Sequence, residues 1–314
     1  SWHGTHVAGT VAAVANNREG IAGVNPRAKI LPVRVLGTCG GYTSDIADAI
    51  RWASGGSISG IPSNPHKADV INLSLGARGS CGQTMQRSVD FALSQGVTVV
   101  VAAGNSSQNF QSFSPANCRG VLSVAALNQN GKLASYSNYG SEVSVAAPGG
   151  GFGDYGVLST HNSGLNFEGS PSYKKMRGTS MAAPHVAGVA SLIKGVNPDL
   201  YPHQIKKIFE ESSVSFTSQP CGENCAKGKA NALEVLKLAQ VTSPQAPSGS
   251  SRSIEGGKSP RIMQKQDDGG GCGSVDLNGG NSGGPGGFGG SMLTGLLMAL
   301  VVSAIRPRKK LIRA

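Results

Sequence analysis

Residues 85–105 read Met85-Gln86-Arg87-Ser88-Val89-Asp90-Phe91-Ala92-Leu93-Ser94-Gln95-Gly96-Val97-Thr98-Val99-Val100-Val101-Ala102-Ala103-Gly104-Asn105, and this stretch decides the fold class. Its first half predicts a helix over 85–95 that stops at Gly96, because glycine readily takes the left-handed turn that closes a helix. Its second half, 97–102, is a short run dominated by valine. Such a run reads as a strand covered on both faces, hence parallel to its neighbours. Similar runs stand at 30–35, 70–75, 121–125 and 143–146. Between and after them, helices are predicted over 44–54, 179–194, 203–212 and 230–239, and an Ala/Val-rich helical stretch opens the chain. This alternation predicts an open, mostly parallel α/β sheet with helices on both faces, whose sites form at the carboxyl ends of strands.

The alternation stops near residue 240, so residues 1–240 are predicted to form one domain. Residues 241–290 are rich in Gly, Ser and Pro with charges that cancel, a composition that cannot bury a core and reads as a linker. Residues 292–305 are apolar and run into Arg306-Pro307-Arg308-Lys309-Lys310. As a helix they would span only about 21 Å, against about 30 Å for a bilayer core. We therefore read 291–314 as a sorting signal or short anchor making transient membrane contact, its basic end on the cytoplasmic side.

The net charge of +11 suggests a nucleic-acid binder until it is divided along the chain. Residues 1–240 hold 19 Lys/Arg against 13 Asp/Glu, 241–305 balance, and the last nine residues carry five basic side chains and no acid. With aromatics at 5% and no basic stripe among them, nucleic acid is not an expected partner. The six cysteines, Cys39, Cys81, Cys118, Cys221, Cys225 and Cys272, suit an exported protein. Cys39 with Cys81 is the favoured pair, both lying in Gly-rich turns.

Two motifs carry chemistry. The first is Trp2-His3-Gly4-Thr5-His6-Val7-Ala8-Gly9-Thr10 and the second Gly178-Thr179-Ser180-Met181-Ala182-Ala183-Pro184-His185-Val186-Ala187-Gly188. A serine hydroxyl is a poor nucleophile near neutral pH and needs an imidazole to take its proton and return it to the leaving amine. His3 and Ser180 supply the two groups. Ser180 would open a helix, where its backbone N–H is unpaired and the dipole favours developing negative charge. Gly178 permits close approach to the backbone, and Pro184 is tolerable in the first turn. His3 and His6 could also ligate a metal at helical spacing, but no metalloprotease glutamate or third ligand accompanies them. His6 and His185 read as packed, hydrogen-bonded helix residues. An esterase of the α/β-hydrolase kind is excluded, because Ser180 lacks the Gly-x-Ser-x-Gly elbow and follows its histidine.

Both motifs resemble the histidine and serine boxes of the subtilisin-like serine protease (subtilase) family, and the resemblance covers residues 1 to about 240. Val100-Val101-Ala102-Ala103-Gly104-Asn105 is similar to the family's oxyanion segment, and Val70-Ile71-Asn72-Leu73-Ser74-Leu75-Gly76 to its substrate-binding strand. The resemblance implies a three-layer α/β fold and an exported serine endopeptidase, secreted or at the cell surface, with protein or peptide substrates. It makes His3, Ser180 and Asn105 catalytic and places substrate against Ser74, Leu75, Gly76, Ala102, Ala103 and Gly104. It further implies an N-terminal prosegment and a monomer, with no cofactor for the chemistry. Structural calcium is implied at Ala15-Asn16-Asn17-Arg18-Glu19-Gly20-Ile21, chiefly through carbonyls and Asn17; a plain turn is the competing reading of that loop. In the family an aspartate precedes the histidine by many residues. Only two residues precede His3, and Asp45, Asp48, Asp69 and Asp154 read as poor substitutes, so the chain is expected to be a fragment without its third triad member. The alternative is a non-catalytic peptide-binding module of the same fold at the cell surface.

Overall fold

The structure is a computed structural model describing residues 2–37, 40–165, 167–216, 224–247 and 297–303. Helix α1 (His3–Ala12) leads to strand β1 (Lys29–Leu36), helix α2 (Thr43–Ala53), strand β2 (Val70–Leu73), the short strand β3 (Ala77–Arg78) and helix α3 (Gln83–Ser94). Then come β4 (Thr98–Ala102), the short β5 (Phe113–Ser114), β6 (Leu122–Leu127), β7 (Val145–Pro148) and the pair β8 (Val157–Asn162) and β9 (Pro171–Met176). Helices α4 (Thr179–Val196), α5 (Pro202–Glu211) and α6 (Ala232–Val241) follow, and β10 (Leu297–Ser303) is last.

The valine runs become strands because both faces of the sheet need apolar cover. Parallel pairing joins β2 to β4, β4 to β6 and β6 to β7 in a six-stranded sheet ordered β1-β10-β2-β4-β6-β7. Successive side chains go to opposite faces. Ile71, Leu73, Val99, Val101, Ala125 and Leu127 pack with Ile46 and Ile50 of α2 and Met85 and Val89 of α3. Their sequence neighbours Val70, Val100, Ala102, Leu122, Val124 and Ala126 pack with Val7 and Val11 of α1, Met181 and Val186 of α4, Phe209 of α5 and Val235 of α6. The result is the expected three-layer arrangement, each fully buried Val, Leu or Ile contributing about 1.5–3 kcal/mol.

Three expectations need amendment. Strand β1 is not covered on both faces: Lys29 is exposed and only Val35 and Leu36 are buried, since β1 is an edge strand. Leu297–Ser303, considered above as part of a helix, is a strand antiparallel to both β1 and β2. There it pairs with backbone groups on both flanks, which an extended segment does and a helix does not. No helix among the described residues is long and apolar enough to cross a membrane. Finally, Cys81 bonds to Cys118 rather than to Cys39. Pairing of β3 with β5 draws those loops together, leaving the two Cα atoms 5.1 Å apart. Cys225 is also disulfide-bonded, while Cys39, Cys221 and Cys272 lie outside the described residues, as do 248–296.

Candidate active site

Ser180 is the second residue of α4 and is 4% exposed. The helix begins there because Gly178, at φ +148°, makes a turn into it that L side chains rarely adopt. A Cβ on Gly178 would also stand 3.4 Å from Asn105 Nδ2. Asn105 follows the end of β4, and its Oδ1 accepts hydrogen bonds from Thr179 N (2.8 Å) and Thr179 Oγ1 (3.0 Å). Thr179 Oγ1 in turn accepts from Gly104 N at 3.1 Å. With its oxygen committed to α4, the Asn105 amide leaves Nδ2 donating to nothing among the described residues, and the N–H of Ser180 likewise has no acceptor among them. Two donors unspent among the described residues therefore stand beside Ser180 at a helix N-terminus, an arrangement that can stabilise an oxyanion.

Ser180 is also bound to the end of β2. Ser74 Oγ donates to Ser180 O at 2.8 Å and accepts from Asn72 Nδ2 at 2.9 Å, both within the core. Of the residues expected to meet substrate, Ser74, Leu75, Ala102 and Ala103 are buried; Gly76 and Gly104 keep partial exposure. Gly104 holds φ +107°, and a Cβ there would fall 2.3 Å from Asn138 Nδ2. Asn138 itself passed unnoticed in the sequence. Fully buried, it donates to Ala103 O and accepts from Ser106 N and Gln108 N, fixing the loop that carries Asn105. A lone Asn in a polar, non-periodic stretch gives no signal of this; only its proximity in space does.

His3 opens α1, which packs on α4, and is 2% exposed. Neither ring nitrogen has a hydrogen-bond partner among the described residues. Burial, with the nearby His6 imidazole adding to it, lowers its pKa to about 4. The structure brings the His3 and Ser180 helices together without joining the side chains: Ser180 Oγ donates to Ser74 O at 3.4 Å. His6 and His185 are packed helix residues, as expected. His6 Nε2–H is shared between Val157 O (3.0 Å) and Lys174 O (2.9 Å), and His185 Nδ1–H donates to Met181 O at 2.8 Å.

The loop at residues 14–22 surrounds a hollow of about 540 Å³. Left-handed Asn16, Arg18 and Gly20 curl it, and Asn17 Oδ1 accepts from Glu19 N at 3.1 Å. Its lining offers oxygens of Asn17, Glu19 and the backbone, the donor type a hard cation such as calcium takes, with Asn17 Oδ1 bonded to Glu19 N. Among the described residues no group of three His, Cys, Asp or Glu side chains is placed to hold a metal ion.

The sequence profile of the Subtilase family matches residues 1–252. An extracellular protease of Xanthomonas campestris pv. campestris is 52% identical over 233 residues, 74% of this chain and 39% of that protein. An extracellular basic protease of Dichelobacter nodosus is 45% identical over 223 residues, 70% of this chain and 36% of that protein. The chain thus spans under two fifths of the length of these relatives. Among solved structures, a protease from Pseudoalteromonas arctica superposes with a TM-score of 0.73 at 55% identity, covering 76% of this chain and 71% of that one.

Proposed function

Because this chain belongs to the subtilase family, we propose that the protein containing it is a serine endopeptidase that cleaves protein or peptide substrates through an acyl-enzyme on Ser180. The observation that carries this is the pair of unspent donors, Ser180 N–H and Asn105 Nδ2, beside a serine at the N-terminus of α4. An extended substrate would pair along the end of β2 at Ser74, Leu75 and Gly76 and lie against Ala102, Ala103 and Gly104, the glycines admitting its backbone. Ser180 Oγ would attack the carbonyl, His3 would take the proton and pass it to the leaving amine, and the oxyanion would rest on the two donors.

His3 needs a partner to hold one tautomer, and its ring nitrogens, without a partner among the described residues, can receive an acid from elsewhere in the protein. Without such an acid the catalytic rate should fall by about 10⁴. Calcium, when bound, would be held by Asn17 and neighbouring carbonyls and would stiffen the loop after α1 without entering the chemistry. Export is supported by the names of the two bacterial relatives and by the disulfides.

The missing His3–Ser180 hydrogen bond favours a second reading, a subtilase-fold module that binds peptides at the cell surface without cutting them. Mass spectrometry of the full-length product after a fluorophosphonate probe separates the two. Labelling confined to Ser180 and absent from Ser180→Ala is the expected result; no labelling of a folded, processed protein supports the binding module instead.

A further inference from the structure

Strands β8 and β9 form a hairpin absent from the sequence reading and unused in the mechanism above. It is fastened to α1 along its length: Ser159 Oγ donates to His6 O at 2.7 Å, Thr160 Oγ1 to Thr5 O at 2.8 Å, and His6 bridges Val157 O and Lys174 O. Trp2 Nε1 donates to Gly164 O, so the hairpin tip is bonded to the residue beside His3. The tip is stiff. Asn162 Oδ1 accepts from Gly164 N and Gly169 N, each at 2.8 Å, its Nδ2 donates to Gly169 O at 2.9 Å, and Ser170 N donates to Ser163 Oγ at 3.0 Å. On this support stand Leu165 and Phe167, 80% and 86% exposed. Among the described residues nothing covers these two large apolar side chains, and a partner that covers them gains the burial.

The chemistry indicates which partner. The imidazole that takes the Ser180 proton must deliver it to the leaving nitrogen, so the half of the substrate following the scissile bond lies on the His3 side, away from β2 and β4. That is the side to which the hairpin tip is tied. We propose, resting on the endopeptidase reading, that Leu165 and Phe167 form an apolar contact surface for substrate residues on the carboxyl side of the scissile bond and select apolar ones there. Both residues act in binding and take no part in proton transfer.

The test uses the full-length protein and two substrates with the same acyl half. One is an internally quenched peptide with apolar residues after the cleavage point; the other is a p-nitroanilide, with no residue beyond it. The double variant L165S/F167S should lower kcat/KM on the peptide about 10-fold, the range set by losing apolar contacts in a pocket. It should leave the p-nitroanilide rate unchanged, and the conservative pair L165M/F167L should retain most of the peptide rate. Unchanged rates on both substrates, or equal losses on both, overturn the proposal while leaving the endopeptidase reading standing. A wild-type protein that cleaves neither substrate overturns both.

Discussion

His3 shows how burial converts one side chain into a dependence on acidity. Its imidazole is almost wholly enclosed, and enclosure lowers its pKa to about 4 from an ordinary 6.5. Between those values the unfolded chain binds a proton that the folded chain refuses, so stability rises with pH across the window and is lost as pH falls through it. A shift of this size amounts to about 3 kcal/mol. Burial lowers His6 and His185 in the same direction. Urea unfolding of this chain should accordingly show a falling midpoint from pH 7 to pH 4.5, and His3→Gln should flatten part of that slope. The sequence singled out His3 and Ser180 by residue type, because acyl transfer requires a base and a nucleophile, and Asn105 through its resemblance to the subtilase oxyanion segment. It could not announce Asn138, whose three bonds to the Asn105 loop arise only when distant segments meet.

At the scale of elements, the site is a junction of two pieces, the end of β2 and the start of α4. Ser74 is the rivet between them, receiving Asn72 and donating to the carbonyl of Ser180. Ser74→Ala should cost about 1–3 kcal/mol, since it strands a buried amide and a buried carbonyl. If Ser180 is the nucleophile proposed above, the tether sets its attitude, so kcat on a p-nitroanilide should fall more than KM changes, and Ser74→Thr should restore part of it. The sequence placed Ser74 among the expected substrate contacts; the structure shows it buried and joined to Asn72 and Ser180. Helices and buried strands were legible because their apolar spacing is dense. The β8–β9 hairpin was not, for it is partly exposed, its consecutive polar residues Ser159–Asn162 and Lys174-Lys175 break any apolar alternation, and its return strand begins with Pro171.

Across the whole molecule, the valine runs settled the layered architecture, but long-range cross-links followed a different logic. Cys39 and Cys81 share a local character, whereas the bond from Cys81 to Cys118 depends on β3 and β5 pairing, two-residue strands too short to carry a periodic signal. Closing a loop with a sequence separation of 37 residues stabilises the fold by about 4 kcal/mol in the chain-entropy account. The double substitution C81S/C118S should lower the denaturation midpoint accordingly in calorimetry. Between those two cysteines lie α3, the central strand β4 and Asn105. A single backbone cut anywhere in that interval leaves both pieces covalently attached, so a molecule nicked there once, even by a neighbour of its own kind, remains one body and sheds no fragment.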